Sequence, residues 1–336
     1  MLGSALAVAP ALAAGSLPRL VLEPGSLTVS GVSAGGHMAM QYQVAFSRDV
    51  AGAGIIAAGP WFCARGSLWR ALTDCVKGGA IGPDIGPLLG AARAAAAANR
   101  IDDPSWLVPD RVWAFHGAQD EVVGAAVMDS LLRFYRVFIP PQRMHYATQV
   151  PAAHGFPTRD TGAPCARISP TGLNDCDYDA AGELLRYLYR DLRAPAGPLR
   201  GQLLEFDQRR YAAGSARSTL APTGWIYVPQ DCAAGRPCRI HIAFHGCRQG
   251  TEFVGQAFVR DAGYNRWADA NRIVVLYPQV ARSWLWPFNP QGCWDWWGYT
   301  GNDYAWRSGA QLAAVHRMSS GAGVTVAVTS PELPPP

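Results

Sequence analysis

Short apolar runs recur along the chain, and most are followed by a turn or by a stretch with helical spacing. Leucines in DAAGELLRYLYRDL (179–192) repeat at helical intervals, FVRDAGYNRWADAN (258–271) also suits a helix, and AARAAAAANR (91–100) predicts an exposed helix. Strands are predicted at SLTVSGV (26–32), GAGIIAAGP (52–60), RVWAFHG (111–117), RMHYATQV (143–150), GQLLEFD (201–207), GWIYVP (224–229), RIHIAFHG (239–246) and RIVVLYP (272–278). This alternation predicts an α/β fold with a mainly parallel sheet.

Both ends of the chain lack this pattern. Residues 1–14 are apolar and rich in small side chains, and they resemble the end of a secretory signal without its basic region. The alternative is a merely apolar N-terminal arm. Residues 319–336 indicate a tail, a linker stub or the first strand of a missing module. We therefore expect one domain over residues 20–318, with 26–192 and 201–318 as its two halves.

Composition excludes several classes of protein. With 49% hydrophobic and 16% charged residues, the 336-residue chain is typical of a globular protein with a sizeable core. The net charge of +4 is small and Lys77 is the only lysine, and the arginines form no basic run, so we expect no nucleic-acid partner. No later stretch approaches the roughly 18 apolar residues of a membrane span.

Eight cysteines in a chain with a signal-like start indicate disulfides and secretion. No C-x-x-C spacing occurs, which argues against a zinc site. Because eight cysteines allow about 105 connectivities, a pairing by proximity is a hypothesis only. It would join Cys63 with Cys75, Cys165 with Cys176, Cys232 with Cys238 and Cys247 with Cys293.

The candidate nucleophile is Ser33 in GVSAGGHM (31–38), which has the form G-x-S-x-G. A predicted strand precedes it and a predicted helix follows, and this context favours a sharp turn that projects the serine from the sheet. The alternative is a chance glycine turn in a chain with 36 glycines. A serine hydroxyl is a weak nucleophile until a base removes its proton, so a base and an acid must lie downstream.

The chain supplies both partners in the order Ser, Asp, His. Asp120 follows the strand in FHGAQDEVV, and His154 lies in the loop PAAHGF after the next strand. Asp110 precedes its strand and Asp160 follows the histidine, so both fit the role of the acid less well. The remaining alternative for His154 is a surface histidine.

An oxyanion hole requires the amide of Ala34, after the nucleophile, and an amide from a neighbouring strand end. No strand precedes the nucleophile strand, but RIHIAFHGCRQG ends a strand downstream and offers the amide of Cys247. A plain strand end is the alternative. In the usual hydrolase order the oxyanion strand precedes the nucleophile strand. By comparison, residues 201–318 would supply the early strands of a hydrolase sheet and residues 26–192 would supply the late ones. The chain would then be circularly permuted.

In this order GVSAGGHM, FHGAQDEVV, AAHGF and FHGCRQG resemble the single-domain, fungal-type extracellular polyhydroxybutyrate depolymerases. The resemblance covers roughly residues 25–318. It implies a circularly permuted α/β-hydrolase fold, the triad Ser33, Asp120 and His154, oxyanion amides at Ala34 and Cys247, and disulfides that brace the loops. It also implies hydrolysis of poly(3-hydroxybutyrate).

Residues 283–306 contain six of the 12 tryptophans. Flat apolar rings in a segment broken by Gly and Pro suit a cleft or exposed patch for an aliphatic polyester, although core packing is the alternative. We expect Trp284, Trp286, Trp294 and Trp306 to contact substrate. The family resemblance implies the cleft position for Trp306.

Together these features predict a secreted, monomeric serine esterase that needs no metal or cofactor and acts on a water-insoluble aliphatic polyester. The nearest alternative is a carboxylesterase for plant-wall esters, such as a feruloyl or acetylxylan esterase. A polymer-binding module without catalysis is a different class, and the complete Ser–Asp–His order argues against it.

Overall fold

The computed structural model describes residues 15–324. The predicted signal remnant at 1–14 and the end of the predicted tail at 325–336 lie outside the described residues. The strands are β1 (Leu20–Val21), β2 (Leu27–Val32), β3 (Val50–Ile56), β4 (Arg111–Phe115), β5 (Met144–Ala147), β6 (Phe156–Thr158), β7 (Ala163–Pro164), β8 (Leu173–Asp175), β9 (Gln202–Asp207), β10 (Thr223–Val228), β11 (Arg239–Phe244), β12 (Ile273–Tyr277) and β13 (Gly323–Val324).

The central sheet has eight strands in the order β5-β4-β3-β2-β11-β12-β10-β9 within the described part of the chain. Each was predicted from its apolar run, with small differences at the ends. From β5 to β12 neighbouring strands are parallel, whereas β10 is antiparallel to both β12 and β9. The predicted α/β fold with a mainly parallel sheet is confirmed.

Helices cover both faces of the sheet. They are α1 (Ala34–Ala45), α2 (Leu68–Leu72), α3 (Gly86–Ala97), α4 (Ala125–Tyr135), α5 (Ala180–Tyr189), α6 (Ala216–Thr219), α7 (Gln230–Ala233), α8 (Thr251–Val254), α9 (Ala257–Asp261), α10 (Tyr264–Asn271) and α11 (Ala310–Gly321). The predicted helix at 258–271 is broken, because Gly263 adopts a left-handed backbone with φ 95° between α9 and α10.

Strand side chains alternate between two hydrophobic cores, as the period of two in a strand requires. In β12, Val274 and Leu276 join the core that contains residues of α1, α3, α4 and α11. Ile273, Val275 and Tyr277 join the other core, with α5, α9 and α10. The inner strands β2, β3, β4, β11 and β12 are therefore buried on both faces, which explains their nearly continuous apolar sequences, whereas β9 at the edge of the sheet is mostly exposed.

Parallel pairing brings the ends of six strands, β2 to β5, β11 and β12, to one edge of the sheet. Gly31 of β2 lies opposite Phe244 of β11, so the residues that follow these two strands are neighbours. β3 pairs with β2 on its other side, and β4 and β5 follow in the same direction. Segments far apart in sequence therefore meet at the carboxyl edge, where α/β proteins place their ligands.

The two ends of the described chain meet in a short parallel pair between β1 and β13. α11 continues to Gly321, so regular structure extends beyond the predicted end of the domain at residue 318. The sequence of 319–336 did not predict this regular structure, because the last helical turn is rich in Ser and Gly and β13 is only two residues long. No helix between residues 15 and 324 combines the length and the apolar character that a membrane span requires.

All eight cysteines form disulfides. The bonds are Cys63–Cys75, Cys165–Cys176, Cys232–Cys238 and Cys247–Cys293. These are the pairs that proximity along the sequence suggested. Cys247–Cys293 closes the longest span, with a sequence separation of 46, and ties the end of β11 to the tryptophan-rich segment.

Candidate active site

Ser33 occupies a strained turn between β2 and α1. Its backbone has φ 57° and ψ −122°, a conformation that residues other than glycine rarely adopt. The flanking glycines allow this turn by close contact. A Cβ on Gly31 would lie 2.1 Å from the carbonyl oxygen of Gly35, and a Cβ on Gly35 would lie 2.3 Å from that of Phe244. The G-x-S-x-G pattern therefore reflects backbone packing around the serine.

A hydrogen-bonded chain runs from Asp120 through His154 to Ser33. His154 Nδ1 lies 2.8 Å from Asp120 Oδ2, and His154 Nε2 lies 3.0 Å from Ser33 Oγ. Because a carboxylate only accepts, Nδ1 donates to Asp120 and Nε2 is left to accept from the serine hydroxyl. This is the arrangement that allows a histidine to remove a serine proton.

Asp120 is held as a carboxylate. Burial alone would raise its pKa, but the hydrogen bond and charge of His154 and the amides of Val122 and Val123 outweigh burial, and the pKa lies below its usual value. Its Oδ1 accepts from those two amides at 2.9 and 3.0 Å. The side chain is 1% exposed, whereas that of His154 is 17% exposed and can reach a ligand.

The two predicted oxyanion amides follow the ends of different strands, β2 and β11. Ala34 is the first residue of α1, and the first N–H groups of a helix have no acceptor within it. Cys247 lines the cleft beside Ser33, and its N–H bonds to no acceptor within residues 15–324. The structure thus brings Cys247 to the cleft that Ser33 and His154 line, whereas Ala34 adjoins Ser33 in sequence and is not among the lining residues.

Gln249 braces this loop, a role that the sequence interpretation missed. Its Oε1 accepts from the amide of Gly246 at 2.7 Å, and its Nε2 donates to the carbonyl of Gly172 at 3.0 Å. The side chain therefore connects the end of β11 to the loop before β8. Its position two residues after Cys247 in FHGCRQG is the only sequence signal for it.

His245 braces the same loop from within. Burial lowers its pKa to about 4, so the ring is neutral at ordinary pH. Its Nδ1 donates to the carbonyl of Gly246 at 2.7 Å, and its Nε2 accepts from the amide of Val280 at 3.2 Å. The ring is buried and bonded at both nitrogens, which leaves it no proton to exchange with a ligand.

The triad opens into an apolar cleft of about 810 Å³. Such a volume is within the range of small-molecule sites. Its apolar lining was not predicted and comes from four separate segments: Leu68, Leu72, Val76, Val122, Ile168, Pro170, Phe288, Pro290, Trp296 and Trp297. Four of these remain more than half exposed at the rim: Leu68, Leu72, Ile168 and Phe288.

The four predicted tryptophans lie in different environments, and the predictions for Trp294 and Trp306 need correction. Trp294 is fully buried against Phe244, at a centroid distance of 5.1 Å, and belongs to the core. Trp306 is half-buried beneath Arg100, whose guanidinium carbon lies 4.3 Å from the ring centroid, and it is not among the residues that line the cleft. Trp284 and Trp286 are 68% and 86% exposed, outside the cleft lining.

Trp296 and Trp297 line the cleft instead. The ring of Trp296 stacks on His37 of α1, with centroids 4.4 Å apart and planes inclined by 15°. His37 in turn accepts from the amide of Gly59, and burial lowers its pKa to about 3, so this support is a neutral ring. Both tryptophans belong to the predicted segment, but no periodicity distinguishes them from their neighbours.

Within residues 15–324, no three His, Cys, Asp or Glu side chains are grouped as a metal site would require. The groups gathered at the site are a serine nucleophile, a histidine base, a buried carboxylate and candidate backbone amides. Together these can transfer an acyl group from an ester to water.

No family profile matches the chain. Among characterised proteins, it is 39% identical over 333 residues to a poly(3-hydroxybutyrate) depolymerase from Delftia acidovorans, covering 96% of this chain and 66% of that protein. It is also 36% identical over 319 residues to a polyhydroxybutyrate depolymerase from Talaromyces funiculosus, covering 90% of this chain and 91% of that one. The chain thus spans just under two thirds of the length of the Delftia relative.

Two solved structures are close in fold. A PHB depolymerase complexed with an R3HB trimer superposes with a TM-score of 0.83 at 33% identity, covering 91% of this chain and 98% of that one. The crystal structure of PHB depolymerase from Penicillium funiculosum gives the same TM-score and identity, covering 91% and 99%. The similarity extends over nearly the whole of both structures.

Proposed function

Because the chain belongs to the polyhydroxybutyrate depolymerase family, we propose that it is a serine esterase that hydrolyses poly(3-hydroxybutyrate) to short oligomers or monomers. The observation that carries this proposal is the hydrogen-bonded chain Asp120–His154–Ser33 at the base of an apolar cleft. The polymer is aliphatic and uncharged along its length, so the cleft can bind it by burying apolar surface.

In the proposed acylation step, Ser33 Oγ attacks the ester carbonyl while His154 Nε2 takes the serine proton. Asp120 holds the ring and stabilises the imidazolium that forms. The amides of Ala34 and Cys247 donate to the oxygen that becomes negative, and the adjacent N-terminus of α1 favours the same charge. His154 then gives its proton to the leaving alcohol oxygen.

In the deacylation step, His154 removes a proton from water, and the resulting nucleophile attacks the ester bond to Ser33. Collapse of the second tetrahedral intermediate releases a carboxylic acid and returns the proton to Ser33. These residues account for every proton movement in the cycle.

The fold is that of an α/β-hydrolase, and we propose that its strand order is circularly permuted. Two observations support this. β9 to β12, which include the oxyanion strand β11, follow the nucleophile strand in sequence but complete its sheet. The described ends of the chain also lie side by side in the β1–β13 pair, a position from which joining and reopening a chain is feasible. The proposed single catalytic domain, predicted at residues 20–318, would then extend through the end of α11 and β13.

We further propose that the enzyme is secreted and acts as a monomer without a nucleic-acid partner. Four disulfides favour an oxidising compartment. A secreted location also suits a substrate that is a water-insoluble solid. The net charge of +4 offers little attraction to nucleic acid.

The test compares polymer and plant-wall substrates in one set of variants. We expect the parent to clear an opaque poly(3-hydroxybutyrate) suspension and to release little ferulate from a feruloyl ester. Ser33→Ala should reduce clearing by about 10⁶-fold, because it removes the nucleophile and little volume. Ser26→Ala, one residue before the same strand, is the matched control and should retain activity. Efficient ferulate release without clearing would instead favour the plant-wall esterase.

A further inference from the structure

Arg248 is the only residue other than His154 with an ionisable side chain among those that line the cleft. Arginine carries a permanent positive charge, and no Asp or Glu lines the cleft to balance it. The interior of a polyester chain carries no negative charge with which the arginine could pair. Binding of the uncharged polymer therefore does not explain why an arginine lines the cleft.

The main chain at Arg248 is fixed on both sides. Its amide donates to the carbonyl of Gln291 at 2.7 Å, and the preceding Cys247 is bonded to Cys293. On the other side, the side chain of Gln249 bonds to Gly246 and Gly172. Arg248 itself has φ 58°, a left-handed conformation that costs a side chain with a Cβ about 1 kcal/mol or more. A braced loop thus presents this arginine directly after the proposed oxyanion amide.

The guanidinium of Arg248 is also free. The residue is exposed, and within residues 15–324 its side chain has no ion pair and no hydrogen bond. Arg282 and Arg307, in contrast, form ion pairs elsewhere on the surface: Arg282 lies 2.6 Å from Glu252, and Arg307 lies 2.6 Å from Asp102. All five N–H donors of Arg248 remain available for an anion.

Ester hydrolysis creates the anion that such a group recognises. One end of every polyhydroxyalkanoate fragment is a free carboxylate, and each cleavage produces another. A guanidinium matches a carboxylate with two parallel hydrogen bonds. We propose that Arg248 forms a carboxylate subsite, which selects the acid end of short hydroxyalkanoate oligomers and binds the acid product. This inference rests on the proposed function and deepens it.

The consequence is a preference for free-acid oligomers over their neutral esters. Exposed ion pairs are weak, so we expect kcat/KM for a hydroxybutyrate trimer acid to exceed that for its methyl ester by about two- to fivefold. The difference should lie in KM, because Arg248 does not touch the reacting atoms. It should shrink as ionic strength rises from about 0.01 to 0.15 M, since salt screens exposed charges.

The test measures both trimers with the parent, Arg248→Gln and Arg248→Lys. The glutamine variant should hydrolyse both substrates with equal KM. The lysine variant should keep part of the preference, because it keeps the charge but loses the planar pair of donors. Arg282→Gln, which changes the net charge equally, is the matched control and should keep the whole preference.

A second measurement does not depend on a variant. Free 3-hydroxybutyrate should inhibit the parent competitively, and its methyl ester should inhibit several times less. Equal KM values for the acid and methyl ester trimers in the parent, or inhibition that Arg248→Gln leaves unchanged, would overturn the carboxylate subsite. If the parent hydrolyses neither trimer, the proposed function itself is overturned.

Discussion

Asp110 is a buried acid that the proposed mechanism does not use. It lies just before β4, is 2% exposed, and accepts a hydrogen bond from Gln43 Nε2 at 2.7 Å. Tyr135 donates to the other end of the same glutamine amide at 2.7 Å. Burial raises the pKa of Asp110 to about 8, although the bond from Gln43 and the charge of Arg143 act to lower it.

This pKa makes stability depend on pH. An unfolded chain releases the proton of Asp110 near pH 4, whereas the folded protein keeps it until about pH 8. The contribution of Asp110 to stability is therefore full below pH 4 and is lost progressively as pH rises to 8, by at most about 1.4 kcal/mol per pH unit.

We predict that Asp110→Asn will reduce this decline. The amide keeps the shape and can still bond to Gln43, but it does not titrate. Urea unfolding of the parent and the variant between pH 5 and pH 8 measures the effect, with Asp84→Asn, at a surface acid, as the control. Parallel stability curves for the parent and Asp110→Asn would contradict the prediction.

At the scale of elements, the segment between β12 and α11 is organised around one carboxylate. Asp295 is 2% exposed, and its side chain accepts from the amides of Trp297, Gly298, Tyr299 and Thr300 and from the hydroxyl of Thr300. Its own carbonyl accepts from Gln41 of α1 at 2.9 Å. A segment without regular structure thereby holds two cleft tryptophans against the helix that follows Ser33.

The same segment contains tryptophans with opposite environments, and they provide a matched pair for mutation. Trp286→Ala removes an exposed ring, so we expect erosion of a polyhydroxybutyrate film to slow by about tenfold, because contact with a solid polymer buries the ring. Hydrolysis of p-nitrophenyl butyrate should not change. Trp306→Ala should instead lower stability by about 1–3 kcal/mol, because the ring packs on the core.

Film erosion, soluble-ester hydrolysis and thermal melting of both variants separate these outcomes. A Trp306→Ala protein with parental melting and a selective loss of film erosion would restore the original cleft assignment. A Trp286→Ala protein that loses both activities equally would show that its ring does not act through polymer contact.

At the scale of the molecule, a covalent link joins two parts of the site that are distant in sequence. Cys247–Cys293 joins the oxyanion loop to the cleft tryptophans across a sequence separation of 46. In the chain-entropy model, closing such a loop stabilises the fold by about 4 kcal/mol. Cys232–Cys238, with a separation of 6, should contribute about half as much in the same model.

We predict that replacing both Cys247 and Cys293 by alanine will lower both the melting temperature and kcat. The amide of residue 247 remains, so any loss of kcat reflects its position and not its removal. Replacing both Cys232 and Cys238 by alanine is the control, and it should lower the melting temperature less and leave kcat unchanged. Equal effects of the two double variants on kcat would rule out a particular role for the Cys247–Cys293 bond at the site.

Local sequence was sufficient to predict the sheet strands and the residues of the candidate triad. The inner strands β2, β3, β4, β11 and β12 are almost wholly buried and therefore rich in apolar and small residues, and the turn at Ser33 requires glycines at set positions. His154 and Asp120 could be predicted because they follow strands in a set order. In contrast, His37 and His241 are buried, and burial lowers their pKa values to about 3, so neither ring suits the role of the base.

The sequence by itself determined the α/β class, the candidate triad and the cysteine pairs that are close along the chain. Only the tertiary structure decided which tryptophans line the cleft and that Gln249 and Asp295 brace its walls. It also decided that Arg248 lines the cleft with no ion pair within residues 15–324. The reason is physical. Backbone turns and strand burial leave local patterns in a sequence, whereas a cleft is assembled from loops that meet only when parallel strands align. Whether a ring faces solvent, core or ligand depends on neighbours that are distant in sequence.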